Sequence, residues 1–106
     1  MSAALAGRVA LVTGGAVRVG RALSVACAEA GLDVAVHYRS SAGPARAAVE
    51  ECRACGVRAE AVGGDLATAA GCHAVVGAAE DALGPVDVLV NSAANVLAAP
   101  VEATPA

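Results

Sequence analysis

The sequence predicts an α/β fold, a doubly wound parallel sheet with strand order 3-2-1-4, on three observations. Short apolar runs alternate with helix-like segments, the pattern of parallel strands joined by right-handed crossovers. A glycine-rich turn, residues 13–20, follows the first apolar run and opens the first helix. The 106 residues, 58% of them hydrophobic, suffice for one small core. We therefore expect a single domain over residues 1–106.

Hydrophobic spacing and turn residues place seven elements in this domain. They are strand 8–13, helix 19–30, strand 34–38, helix 43–55, strand 57–62, helix 69–83 and strand 86–91. Gly31 is a typical residue just beyond a helix end, and Gly84-Pro85 ends the third helix. Pro44 suits a first helical turn, where its missing N–H is not needed. Thr68 is a suitable cap for the third helix, and Thr104-Pro105 resembles the start of another.

Composition excludes several classes of protein. The net charge is −3, with seven dispersed arginines and no lysine, which argues against nucleic acid as the main partner. No apolar run approaches the ~20 residues of a membrane span, and the N-terminus is a poor signal peptide. We expect a cytoplasmic location and free thiols for all four cysteines. Cys52 and Cys55 form a Cys-x-x-Cys, but no second such pair completes a zinc set.

The glycine-rich turn predicts a phosphate site. A strand that turns sharply into a helix leaves the first N–H groups of the helix unpaired and directed at the turn. These donors and the positive end of the helix dipole attract a phosphate. The following strand ends about 20 residues later, where a dinucleotide ribose should lie. The order of strand, turn, helix and strand is that of a Rossmann-type half-fold, and no Gly-Lys-Ser/Thr suggests a P-loop.

The end of the second strand indicates which dinucleotide binds. NAD-binding domains usually place an acid there for the ribose 2′-hydroxyl, but this chain has His37, Tyr38, Arg39 and Ser40. The guanidinium of Arg39 suits a 2′-phosphate, and Arg18 in the glycine turn supplies a second positive group. The alternative is that both arginines are ordinary solvated loop residues.

The segment Thr13-Gly14-Gly15-Ala16-Val17-Arg18-Val19-Gly20 resembles the Thr-Gly-x-x-x-Gly-x-Gly turn of the short-chain dehydrogenase/reductase family. Arg18 replaces the middle glycine. That change, together with the His37–Ser40 segment, is similar to the NADPH-dependent pteridine reductase branch. The resemblance extends over essentially the whole chain.

Two further markers match that family. Asp65-Leu66 stands where the family has an acid that hydrogen-bonds the adenine amino group. Asn91-Ser92-Ala93-Ala94 resembles the Asn-Asn-Ala-Gly segment that steadies the sheet and lines the cofactor, with its second asparagine and its glycine changed. The resemblance implies NADP(H) as cofactor, bound by Gly14, Arg18, Val19, Gly20, His37, Tyr38, Arg39, Ser40, Asp65, Leu66, Asn91 and Ala93.

Each marker has a simpler interpretation. Asp65 caps the third helix, Asn91 is a turn residue, and His37 and Tyr38 are an ordinary strand end. His73 lies in a predicted helix and is expected to be structural or exposed. These interpretations do not explain why the markers meet at the carboxyl ends of successive strands, where open α/β sheets bind ligands.

The resemblance also implies chemistry that the 106 residues lack. In the family a tyrosine donates a proton, a lysine lowers its pKa and a serine positions the substrate in hydride transfer to a carbonyl. This chain has no lysine, and its only tyrosine, Tyr38, belongs to the second strand. We expect the chain alone to be inactive and to be part of a longer polypeptide, with an apolar edge strand over 86–90. We expect the full-length parent to be a homo-oligomer.

Two hypotheses about the function remain open at this point. The chain is either the cofactor-binding half of a short-chain reductase or a non-catalytic module that binds a dinucleotide or a protein partner. A methyltransferase-type Rossmann domain would need an acid at the end of the second strand, and the His37–Arg39 segment has none.

Overall fold

The structure, a computed structural model, describes residues 5–92. Strands and helices alternate through this region. They are β1 (Val9–Thr13), α1 (Arg18–Glu29), β2 (Asp33–Tyr38), α2 (Ala42–Ala54), β3 (Ala59–Gly63), α3 (Ala69–Leu83) and β4 (Val88–Asn91). Two predicted features, the cofactor contact at Ala93 and the helix start at Thr104-Pro105, lie outside the described residues.

The four strands form one parallel sheet in the order β3-β2-β1-β4. This confirms the predicted topology. The first strand has a neighbour on each side, with Val12 opposite Val36 of β2 and Val90 of β4. All five residues of β1 are buried, because a strand inside a parallel sheet is covered on both faces.

Helices cover both faces of the sheet. Successive side chains of a strand point to opposite faces, so Val12 joins the core under α1 and α2, which includes Ala28 and Val49. Leu11 joins the other core, under α3, with Val75. The sequence contains no Phe or Trp. Small residues such as alanine fill the core instead, and they let the helices lie close to the strands.

Element boundaries differ from the predictions by one or two residues. The second strand begins one residue earlier, at Asp33, and β3 begins two residues later, at Ala59. Both shifts involve Asp33, whose carboxylate accepts the backbone N–H of Arg58 at 2.9 Å. The predicted cap is confirmed, because Thr68 Oγ1 accepts the N–H of Gly71 at 2.9 Å.

The amino edge of the sheet is fastened by the same carboxylate. Asp33 is buried, and its Oδ2 accepts hydrogen bonds from Arg58 Nε at 3.0 Å and Nη2 at 2.8 Å. Arg58 Nη2 also donates to the carbonyl of Leu83 at 3.0 Å. One ion pair therefore joins β2, the start of β3 and the end of α3.

Candidate functional site

A cleft of about 510 Å³ lies at the carboxyl edge of the sheet. Its lining comes from all four strand ends and from the first part of α3. Six of the residues predicted to bind cofactor line it. They are Gly14, His37, Arg39, Asp65, Leu66 and Asn91. The topology thus brings together markers that stand up to 77 residues apart in the chain.

The other predicted residues lie outside this lining, namely Arg18, Val19, Gly20, Tyr38 and Ser40. Arg18 borders a separate, shallower depression with Arg21 and Glu51. Arg18 and Arg39 therefore lie in different concavities of this structure. Their joint action on one phosphate stays a prediction.

Close packing forms the glycine turn. A Cβ added at Gly20 would collide with the carbonyl of Gly14 and lie 2.8 Å from Ser92 Oγ, so only glycine is accommodated. Arg18 has φ +53°, and within residues 5–92 it is the only non-glycine residue at positive φ. This is the backbone conformation that glycine adopts freely, and it explains why the related turn has glycine at the Arg18 position.

The start of α1 leaves its first N–H groups available. Val17 is the N-cap and has no side chain that accepts a hydrogen bond, and the first turn contains no acid. By contrast, α3 is capped by Thr68. An uncapped helix start beside a glycine turn offers donors and a positive dipole end to an anion.

His37 fastens the turn to the neighbouring strands. It is 3% exposed. Its Nδ1 accepts the N–H of Gly14 at 2.9 Å, and its Nε2 lies 2.8 Å from the carbonyl oxygen of Gly64. The backbone carbonyl of His37 accepts the N–H of Gly15 at 2.9 Å.

A second set of hydrogen bonds joins β1 to β4 at the same edge. Thr13 Oγ1 donates to Asn91 Oδ1 at 2.9 Å and accepts the N–H of Ser92 at 3.1 Å. Ser92 Oγ donates to the Thr13 carbonyl. Asn91 therefore does more than end a strand: its side chain links β4 to β1 beside the cleft.

The two arginines predicted for the 2′-phosphate are exposed. The ion pairs of the described region use Arg21, Arg53 and Arg58, and neither Arg18 nor Arg39 pairs with a carboxylate there. Their guanidinium groups are thus available to an anionic ligand.

Asp65 lies in the loop that leads into α3. Its Oδ1 accepts the N–H of Ala67 at 2.9 Å, which shapes the loop, whereas Thr68 is the helix cap. The carboxylate is exposed and lines the cleft. This geometry leaves it accessible to a ligand donor while it supports its own loop.

Tyr38 points away from His37, since neighbours on a strand face opposite sides. Its ring lies over Gly63, where an added Cβ would be 2.8 Å from the ring, and it packs on the core under α1 and α2. The contact of Tyr38 with the cofactor stays a prediction.

Ser24 is a residue of the turn that the sequence did not reveal. It is fully buried, and its Oγ lies 2.9 Å from the Gly20 carbonyl and 3.2 Å from that of Gly15. The available signal was a serine among apolar residues of α1, one turn after Gly20. It holds the turn against the helix that follows.

The four cysteines are free thiols in the structure, and within residues 5–92 no group of His, Cys, Asp and Glu is arranged to hold a metal. Burial raises the pKa of the Cys52 thiol to about 11, with Cys55 and Cys27 adding to the effect, so its reactive thiolate is scarce at neutral pH.

His73 is exposed, as predicted. Over residues 5–92, no helix combines the length and apolar character needed to cross a bilayer.

Comparisons with known proteins agree with this geometry. The family model described as short chain dehydrogenase matches residues 8–105. L-rhamnose 1-dehydrogenase (NAD(P)(+)) of Sphingomonas sp. (strain SKA58) is 43% identical over 89 residues, 84% of this chain but 35% of that protein. The chain thus spans about a third of that relative.

Two solved structures share the fold and hold the phosphorylated cofactor. A blue fluorescent protein from a metagenomic library, in complex with NADPH, matches with a TM-score of 0.81 and 42% identity, over 95% of this chain and 42% of that one. A protein from Burkholderia cenocepacia with bound NADP matches with a TM-score of 0.78 and 33% identity, over 82% and 34% of the two chains.

Proposed function

Because the chain belongs to the short chain dehydrogenase family, we propose that it binds NADP(H) as the cofactor-binding part of an NADPH-dependent oxidoreductase. Such an enzyme transfers a hydride, supplied by the nicotinamide, to a carbonyl or pterin-type substrate. The observation that carries the proposal is Arg39, an exposed guanidinium with no carboxylate partner in the described region, in the lining of the cleft.

The chemistry of the donors favours a phosphorylated dinucleotide. The uncapped start of α1 offers N–H groups to the pyrophosphate. The end of β2 has no acid to hold a ribose 2′-hydroxyl and instead leads into Arg39. A guanidinium binds phosphate oxygens through paired, charge-assisted hydrogen bonds, so it favours the cofactor with a 2′-phosphate.

Arg18, in the glycine turn, also supports a preference for the cofactor with a 2′-phosphate. It occupies a positive-φ position, where an L residue is strained by roughly 1–2 kcal/mol. A side chain maintained at such a cost is consistent with a binding role. Arg18 and the segment from His37 to Ser40 are also the features similar to the pteridine reductase branch, and they support a pterin as one substrate class.

We further propose that the chain does not reduce a substrate by itself. A Tyr-x-x-x-Lys pair cannot exist in a sequence without lysine. The catalytic groups would come from a further polypeptide segment. The proposal also includes a cytoplasmic location and a homo-oligomeric parent.

A calorimetric titration of the 106-residue chain with NADPH and with NADH tests the cofactor proposal. We expect NADPH to bind at least tenfold more tightly, because only NADPH carries the 2′-phosphate. Adenosine 2′-phosphate should compete with NADPH, and adenosine 5′-phosphate at the same concentration should compete far less. Equal affinity for the two dinucleotides, or a preference for NADH, would disprove the roles given to Arg18 and Arg39.

A second candidate function is a non-catalytic module that binds a dinucleotide or a protein partner. The observation that favours it is the edge of the sheet at β4, where Leu89 is 62% exposed, and Val76 beside it on α3 is 39% exposed. The in-frame codons after Ala106 discriminate between the two. A serine and a Tyr-x-x-x-Lys within about the next hundred codons would favour the reductase, and an immediate stop codon would favour the module.

A further inference from the structure

We propose that His37 is a positioning residue that fixes the distance between the glycine turn and the loop after β3, and thereby sets the shape of the cofactor cleft. The inference rests on the proposed function in so far as the cleft holds NADP(H). It gives His37 a different role from that of a direct hydrogen-bonding contact.

The partners of the imidazole ring determine its protonation state. The Gly14 N–H can only donate, so Nδ1, at 2.9 Å, accepts and carries no proton. The Gly64 carbonyl can only accept, so Nε2, at 2.8 Å, carries the proton and donates. The ring is therefore a neutral bridge with one defined tautomer. Both ring nitrogens are occupied by the backbone, so the ring has no polar atom left for the cofactor.

The position of His37 suits this bridging role. The second strand lies between β1 and β3, so its end is flanked by the glycine turn on one side and by the β3 loop on the other. The main chain links the same segments, since the His37 carbonyl accepts the Gly15 N–H and the Tyr38 carbonyl accepts the Gly64 N–H at 3.1 Å. The ring adds a link on each side, and these two links fix Gly14 and Gly64 relative to each other.

An apolar side chain of similar size could not form the hydrogen bonds to Gly14 and Gly64. His37 is 3% exposed, and removal of the ring nitrogens would leave a donor on Gly14 and an acceptor on Gly64 without their partners. Partly buried backbone groups that lose their partners are unfavourable, so we expect the turn and the loop to shift toward water or other partners. Because Gly14 and Gly64 both line the cleft, that shift would alter the site that receives the cofactor.

Three substitutions distinguish the contributions of the two hydrogen bonds of the His37 ring. In His37→Asn the amide oxygen takes the place of Nδ1 and can accept from Gly14, but the side chain is too short to reach Gly64. In His37→Gln the amide nitrogen takes the place of Nε2 and can donate to Gly64, but no acceptor remains beside Gly14. His37→Leu removes both bonds. His73→Leu, which changes the exposed histidine of α3, is the matched control.

Calorimetric titration with NADPH, at a temperature where circular dichroism shows each variant folded, gives the first result. We expect His37→Leu to bind at least tenfold more weakly than wild type, the Asn and Gln variants to lie between the two, and the control to match wild type. Amide hydrogen exchange gives the second: the Gly14 amide should exchange faster in the Gln and Leu variants but not in the Asn variant. A general loss of structure would instead accelerate exchange throughout the core.

NADPH affinity within twofold of wild type in all folded variants would overturn the inference. So would failure of both the Asn and Gln variants to fold, because the ring would then have a global structural role. If wild type itself does not bind NADPH, the proposed function fails. The pattern of Gly14 exchange still decides whether His37 holds the turn.

Discussion

A buried polar side chain lies at each end of β2, but the two side chains have different roles. Each end has a buried polar side chain that bonds to the neighbouring elements: Asp33 at the amino edge and His37 at the carboxyl edge. Asp33 is charged, and its oxygens are matched by three donors of Arg58. His37 is neutral and is matched by one donor and one acceptor of the backbone.

The difference lies in what surrounds each bridge. At the amino edge the ion pair also reaches the end of α3 through the Leu83 carbonyl, so the edge is closed and serves stability. At the carboxyl edge the bridge lies beneath a cleft whose lining includes Arg39, which pairs with no carboxylate within residues 5–92. We infer that one edge holds the domain together and that the other leaves charge and donors available for a ligand.

The largest expected effect is at the amino edge. We expect Asp33→Ala to lower the free energy of unfolding by about 2–3 kcal/mol, at the upper end of the range for hydrogen bonds to a charged group, because the Asp33 carboxylate is buried and accepts three bonds from Arg58, whose own side chain is 62% exposed. Urea denaturation measures this. NADPH affinity of the folded fraction should stay unchanged, and a tenfold loss of affinity would show that the two edges are not separable.

The next largest effect is at the carboxyl edge, where a substitution should weaken binding and leave stability unchanged. Arg39→Ala should weaken NADPH binding by about 1.5–3 kcal/mol, the range for hydrogen bonds to charged groups, with NADH binding and unfolding free energy unchanged. Arg8→Ala is the matched control, since Arg8 is an exposed arginine just before β1, at the opposite edge. An equal loss for NADPH and NADH would remove Arg39 from the 2′-phosphate site.

Arg18→Gly should change stability and binding in opposite directions. Relief of the positive-φ strain should raise the free energy of unfolding by roughly 0.5–1 kcal/mol, after allowance for the greater freedom of glycine in the unfolded chain. NADPH binding should weaken by several-fold. A variant that is more stable and binds equally well would show that Arg18 has no role in the site.

The smallest effect should come from an exposed ion pair that belongs to neither bridge. Glu60 on β3 accepts a hydrogen bond from Arg53 at 3.2 Å, and both side chains are about half exposed. Glu60→Gln should cost about 0.2–1 kcal/mol of unfolding free energy and leave NADPH binding unchanged. A loss as large as that of Asp33→Ala would mean that the buried position of Asp33 is not what makes its ion pair strong.

The fold could be predicted from the sequence because its signals are local. Apolar runs, helical spacing and the punctuation by Gly31, Pro44 and Thr68 depend on neighbouring residues, and strand order followed from the half-fold that the turn indicates. The start of β3 was misplaced because it depends on the bond between Asp33 and Arg58, 25 residues apart.

The candidate site was only partly predictable, because its decisive contacts join distant segments. The residue types at the strand ends were visible, and six of the predicted residues line the cleft. The bridging role of His37 was not visible. It requires the register that places Gly14, 23 residues before it, and Gly64, 27 residues after it, on either side of one ring. The tie from Thr13 to Asn91 likewise spans 78 residues.

The most direct test measures the increase in unfolding free energy that NADPH produces, in wild type, Asp33→Asn and His37→Leu. At a concentration near 100 times the wild-type Kd, wild type should gain about 2.7 kcal/mol. Asp33→Asn should start from a lower stability and gain the same increment, whereas His37→Leu should gain at least 1 kcal/mol less, roughly the effect of a tenfold weaker Kd. A full increment in His37→Leu, or a lost increment in Asp33→Asn, would contradict the division of roles between the two ends of β2.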